Sequence, residues 1–210
     1  MSHTPDTHDF SALLRTPLTE RLGCRFPVIQ TAMGWVADAK LVIATTEAGG
    51  FGFLAGATID ADKLEGEIRK VIAATGGSNF GLNFHMFQEN AAQCVDLAIQ
   101  YRLRAVSYGR GPDKKTIARL RDAGIVCMPT VGALKHAIKA IELGANVVTV
   151  QGGEGGGHTG SVATTILLPQ VIDALAGVRA SLVFGLADET WGQLVAAAIV
   201  REEGRSEERR

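Results

Sequence analysis

One pattern governs what this chain can fold into. A short apolar run, a turn of small residues and an amphipathic segment recur at intervals of about 25 residues. The apolar runs are PVIQTAM (27–33), FGFLAG (51–56), FGLNFHM (80–86), RAVSY (104–108), GIVCMPT (124–130) and ANVVTVQ (145–151). Their β-branched and aromatic residues in near-continuous runs predict strands covered on both faces. Between them, DKLEGEIRKVIAAT (62–75) puts Leu64, Ile68, Val71 and Ile72 on one helical face, and KTIARLRDA puts Ile117 and Leu120 together. Gly49, Gly124 and Gly144 stand where a helix should end before the next strand, and Pro112 with Asp113 where one should begin. Strand then helix, repeated at least five times, predicts a parallel α/β architecture. A closed eightfold barrel and an open doubly wound sheet both fit this pattern, with ASLVFG (180–185) as a candidate seventh strand.

Composition narrows the function classes. The 210 residues are 46% hydrophobic and 20% charged, as in ordinary globular proteins, and 21 basic against 22 acidic residues leave a net charge of −1. That balance argues against nucleic acid or an anionic membrane surface as partner. No apolar stretch reaches the roughly 18 residues of a membrane span and no signal segment is visible, so a cytoplasmic location is expected. Cys24, Cys94 and Cys127 are far apart and read as reduced thiols; with no HExxH among the histidines, no metal site is expected. The expected organisation is a polar leader over 1–17, one α/β domain over 18–200 and a charged tail over 201–210.

In parallel α/β folds the loops after the strands build the site. TAMGW (31–35) offers small residues for close approach to a flat ligand, and Asn83 closes the third run. QGGEGGGHTG (151–160) sets six glycines around His158 after the sixth run. Gly155, Gly157 and Gly160 satisfy GxGxxG, but on the sixth strand and without the acidic residue of a dinucleotide site, and the chain has no Gly-Lys dipeptide for a P-loop. Here glycine gives access while Gln151, Glu154 and His158 supply polar groups. His158 suits either a general base or a solvated hydrogen-bonding residue. His85 reads as a packing or hydrogen-bonding residue, His136 as surface, and Tyr108 with Arg110 as a surface turn rather than an anion contact.

PVIQTAMGWVAD, EAGGFGFLAG, FGLNFH, HAIKAIELGANVVTVQGGEGGGHTG and LLPQVIDAL occur in the order seen in nitronate monooxygenases, which the chain resembles over about residues 18–176. The resemblance implies a (β/α)8 barrel of the TIM type, here of six to seven βα units, binding FMN at the C-terminal ends of its strands. It implies that Thr31, Ala32 and Met33 contact the flavin, that Asn83 hydrogen-bonds its ring, that Gln151 and Gly156 line it, and that His158 is the catalytic base. The implied reaction is oxidation of alkyl nitronates or nitroalkanes with dioxygen. A similar glycine-histidine loop makes an FMN-dependent enoyl-acyl carrier protein reductase the second enzyme reading. The family continues through a seventh strand with a Gly-Gly phosphate loop and an eighth ending in Gly-Thr. Here FGLAD and GQLVAAA echo the seventh unit with Gly185 alone, and the chain reads as C-terminally truncated. A third reading follows, an inactive partial barrel surviving as a homo-oligomeric, binding or structural module.

Overall fold

The structure is a computed structural model describing residues 14–110, 113–157 and 159–175 in full and residues 178–188 and 192–201 by their backbone. After helix α1 (Pro17–Leu22), strands and helices alternate as β1 (Ile29–Gln30), α2 (Ala39–Glu47), β2 (Phe51–Ala55), α3 (Ala61–Thr75), β3 (Gly81–His85), α4 (Ala91–Gln100), β4 (Ala105–Gly109), α5 (Lys114–Asp122), β5 (Val126–Val131), α6 (Leu134–Glu142), β6 (Val147–Val150) and α7 (Thr164–Ala174). Strands β1 to β6 lie side by side in chain order, each parallel to the next. The six apolar runs therefore form strands where their composition predicts them.

The local chemistry of the ends explains the boundaries. Asp38 and Asp113 accept hydrogen bonds from Leu41 N and Thr116 N and so cap α2 and α5. Gly49, Gly124 and Gly144 follow their helices with φ of 91°, 72° and 97°, a left-handed backbone that glycine adopts without a Cβ clash. The faces expected on α3 and α5 are the buried ones: Leu64, Ile68, Val71, Ile117 and Leu120 are fully covered.

How the core divides decides between barrel and open sheet. One large cluster joins residues of α2 to α7 with Leu54, Leu82, Phe84, Val106, Tyr108, Cys127, Val148 and Val150 on the helix side of the sheet. The second cluster holds Phe51, Phe53, Ala105, Val126, Met128 and Val147 around Leu18 and Leu22 of α1, and no residue of α2 to α7 belongs to it. A doubly wound sheet carries helices on both faces. Here α2 to α7 cover one face, and the other is concave, drawing β2, β4, β5 and β6 together over α1. The result is an incomplete TIM-type barrel whose bottom is plugged by α1.

The candidate seventh strand at 180–185 is strand, but not in the parallel arrangement of a further barrel unit. After α7 the chain forms β7 (Val178–Asp188) and β8 (Gly192–Arg201), an antiparallel hairpin in which β8 pairs antiparallel with β6 and β7 lies outside it. GQLVAAA is therefore strand. Only residues 189–191 separate the two strands, too few for the crossover of a dozen or more residues that a parallel return requires. The apolar run from Leu194 to Val200 also has no polar face to turn to solvent as a helix. Residues 1–13 of the expected leader and 202–210 of the expected tail lie outside the described residues.

Inside the barrel, the ring of Phe53 lies over Gly81, and a Cβ built on Gly81 would come within 2.2 Å of it. Phe53 is held edge-on by Phe51 at 5.2 Å and has little room to swing away. Gly81→Ala is expected to cost about 1–3 kcal/mol through overpacking. Thermal unfolding checks this as a Tm lowered by several degrees without loss of secondary structure.

Candidate active site

Side chains alternate along a strand, so the two clusters assign each position to a face. Residues 81, 83 and 85 of β3, 105, 107 and 109 of β4, 126, 128 and 130 of β5, and 147 and 149 of β6 point into the barrel. The strand register then stacks these positions in layers. Phe53, Gly81, Ala105 and Val126 are paired in register at the bottom, and Ala55, Asn83, Ser107 and Met128 lie one layer up. His85 pairs with Gly109, and Thr130 with Thr149, in the layer nearest the strand ends. Polarity thus rises from an apolar floor to a polar mouth at the C-terminal ends of the strands, the side on which such barrels carry their ligands.

Asn83 is half-buried, and its Nδ2 donates to Ser107 Oγ at 3.2 Å. That bond orients the amide and leaves Asn83 Oδ1 without a partner among the described residues. Thr31 is exposed, Ala32 packs against the inner cluster, and Met33 opens a turn closed by Val36 N and Ala37 N donating to its carbonyl. β1 is short, and Gln30 lengthens its hold on β2 by donating from Nε2 to Phe53 O at 3.1 Å. Met33, Trp35 and Val36 of this loop, with Phe87 after β3, are exposed apolar side chains on the rim, Trp35 at 89%.

The glycine-rich loop is tied chiefly to itself. Gln151 donates from Nε2 to Gly156 O at 2.6 Å, so these two expected site residues meet, but through a bond internal to the loop. Gly160 lies against Gly132 after β5, where an added Cβ would stand 2.1 Å from Gly132 O, and a Cβ on Gly152 would stand 2.2 Å from Thr164 N. These glycines permit chain-to-chain contact, where the sequence alone suggested clearance for a ligand. Gly157, at φ 77°, does face open space. His158 lies outside the described residues.

Glu154 has a role that sequence reasoning missed. Its carboxylate accepts from Thr164 N with both oxygens, at 2.8 and 3.0 Å, and Gly152 N donates to Thr164 Oγ1. Ala163, the N-cap of α7, has no capping side chain, and Glu154 supplies the cap from the loop. Hydrogen bonds from its own backbone N–H and then from Thr164 hold the Glu154 carboxyl below the usual carboxylate range. Ser107, Thr130 and Thr149 were missed as well, though the alternation of polar with apolar residues near each strand end carries that signal.

Other candidates fall away. Tyr108 is no surface residue: it is fully buried on the helix side, its ring stacked on Phe84 with centroids 5.8 Å apart, and burial pushes its hydroxyl well above its ordinary range. Arg110 is exposed on a left-handed backbone of φ 69°. Burial pushes the Cys94 and Cys127 thiols up to about 12, which keeps them protonated and unreactive. No group of metal-ligating side chains occurs among the described residues, and no helix among them is long and apolar enough to cross a membrane.

A family model described as nitronate monooxygenase matches residues 15–96 and 87–183. The (3aS,4S,5R,7aS)-5-hydroxy-7a-methyl-1-oxo-octahydro-1H-indene-4-carboxyl-CoA dehydrogenase of Mycobacterium tuberculosis is 52% identical over 164 residues, covering 78% of this chain and 46% of that protein. FabK from Thermotoga maritima aligns with a TM-score of 0.71 at 30% identity, over 75% of this chain and 50% of its own. The nitroalkane oxidase of Streptomyces ansochromogenes gives 0.67 at 29%, over 77% and 58%. The chain spans about half the length of the curated relatives it matches.

The Glu154 cap yields a prediction with a definite sign. Because the folded-state pKa is lowered, the carboxylate's contribution is full above its unfolded value and is lost as pH falls through the lowered one. The protection of the Thr164 amide against exchange, relative to a free amide at the same pH, is expected to hold through the ordinary carboxylate range and to fall below it. In Glu154→Ala exchange should be several-fold faster at neutral pH.

Proposed function

The chain belongs to the nitronate monooxygenase family, and from that premise we propose that its barrel mouth binds FMN and serves an oxidoreductase acting on a carbon acid. The observation that carries this reading is the Asn83 amide, fixed by Ser107 on the concave face with Oδ1 turned to no donor among the described residues. An acceptor there suits the ring N–H of a flavin, and the small residues of the Thr31, Ala32 and Met33 loop suit its flat edge. Gln151 and Gly156, joined by their own hydrogen bond, would bound the ring on the β6 side. The donor set therefore fits the ring end of FMN. Bound there, FMN supplies the acceptor for the electrons the substrate gives up.

The residues of the chain have the remaining tasks. A nitroalkane and an acyl thioester share one property: loss of the α-proton leaves a charge delocalised onto oxygen. His158, by its place in the glycine-rich motif, is the proposed base that takes this proton. For an alkyl nitronate, already ionised, no base is needed at that step, and dioxygen is the co-substrate. A second substrate reading, dehydrogenation of a CoA thioester, is favoured by the high identity to a carboxyl-CoA dehydrogenase.

The test is a spectrum and two additions. The purified chain is mixed with FMN, freed of excess and examined for bound-flavin absorbance, then given propyl nitronate or butyryl-CoA without oxygen; bleaching identifies the substrate class. Asn83→Ala should weaken FMN binding about 3–10-fold, the worth of one hydrogen bond. His158→Ala should slow bleaching by butyryl-CoA about 10²–10⁴-fold while sparing bleaching by propyl nitronate. A chain that retains no FMN overturns the reading.

A further inference from the structure

We infer that His85 is a substrate-binding residue at the barrel mouth, donating a hydrogen bond to the oxygen onto which a carbon acid spreads its charge; this rests on the reading above. His85 is the last residue of β3 and faces the barrel interior, in register with Gly109. Its ring occupies the space above that glycine, where an added Cβ would lie 3.4 Å from His85 Nδ1. At that distance a Cβ on residue 109 would only touch the imidazole, so the ring rests in van der Waals contact over the backbone of β4.

The ring stands on a braced frame. His85 N donates to Gln88 Oε1 at 2.8 Å, and Gln88 N returns a bond to His85 O at 3.1 Å. The Gln88 amide donates in turn to Asn90 Oδ1, and Asn90 Nδ2 reaches Gly56 O beyond β2 at 3.3 Å. The turn after β3 is thus fastened to the end of the neighbouring strand, and a side chain on such a frame meets a ligand at little further ordering cost.

Position distinguishes His85 from the cofactor contacts. It lies two residues beyond Asn83 on the same face, about 7 Å nearer the mouth at the rise of a strand. Among the described residues of β4 to β6 its layer holds Gly109, Thr130 and Thr149, which are uncharged, so of these the imidazole is the group best able to meet a developing negative charge. Phe87, 79% exposed two residues on, supplies apolar surface for the rest of such a molecule. The ligand class is accordingly a small carbon acid with a planar, oxygen-bearing conjugated group.

The experiment follows the imidazole itself. In the full labelled chain, the Cε1–Hε1 resonance of His85, assigned by its disappearance in His85→Gln, is monitored as propyl nitronate or butyryl-CoA is added, first without and then with FMN. A saturable shift with one probe is expected, together with about tenfold weaker binding of that probe in His85→Ala and recovery of most of it in His85→Gln, which keeps a donor. FMN uptake, read by flavin fluorescence, should stay within about twofold in both variants. A resonance that neither probe moves under either condition overturns the proposal, as does loss of FMN uptake in the variants of unchanged Tm. Failure of the unsubstituted chain to take up FMN overturns the cofactor reading instead, and the probe-induced shift without FMN then decides the role of His85 by itself.

Discussion

Parallel strands joined by covering helices must send all their carboxyl ends to one side, and the polar side chains at the barrel mouth stand where they do because of that constraint. Helices α2 to α7 bury one face of the sheet, leaving the other to curl over its own side chains. A curled sheet has little interior to fill. Phe51, Phe53, Val126, Met128 and Val147 fill its lower part, and Leu18 and Leu22 close it from beneath. Polar side chains on the same face are therefore displaced upward, to the layer where the barrel opens. The polar mouth is the complement of the apolar floor.

Tight approach of backbone to backbone then sets the shape of that mouth. Gly160 against Gly132 joins the loop after β6 to the one after β5, and Gly152 lets Thr164 come close enough for Glu154 to cap α7. A residue with a side chain at either glycine would part these loops. The glycine-rich segment is thus a folded object before it meets any ligand, with Gly157 on its open side. Such prior order lowers the entropy cost of binding, which is the usual benefit of a rigid site.

Much of the architecture was legible because two independent signals agreed at each unit. Apolar runs marked the strands, and capping residues such as Asp38 and Asp113, with the glycines after α2, α5 and α6, marked the helix ends. The choice between barrel and open sheet was not legible from the pattern, since it depends on whether helices cover one face or both, a property of packing over long distance. Asn83 was singled out at the third strand, but the Ser107 hydroxyl that orients its amide follows from the register of β3 on β4, which the sequence does not show. Glu154 was misread as a free polar group because its partner, Thr164, is ten residues away across a loop. Tyr108 was misread because YGRG has the composition of a surface turn, while its ring falls on the helix side by the alternation of β4.

The hairpin after α7 bears on how a phosphorylated cofactor could be held. In register, Val150 at the end of β6 meets Ala197, and Ala197 meets Val183, so residues 184–188 and 192–196 project past the end of β6. Beside β6, where a closed barrel would set a parallel strand and its loop, stands β8 running the other way. Within the hairpin about every second backbone N–H is bonded to the partner strand and the rest point sideways in a row, whereas a phosphate is best held by the converging donors of a loop or a helix N-terminus. The nearest helix N-terminus on this side, that of α7, already has Thr164 N committed to Glu154. Binding at this mouth must then draw on the ring end, where neutral hydrogen bonds contribute about 0.5–1.5 kcal/mol each. Micromolar affinity needs about 8 kcal/mol, so burial of the flat ring against the apolar rim of Met33, Trp35 and Val36 has to supply most of it.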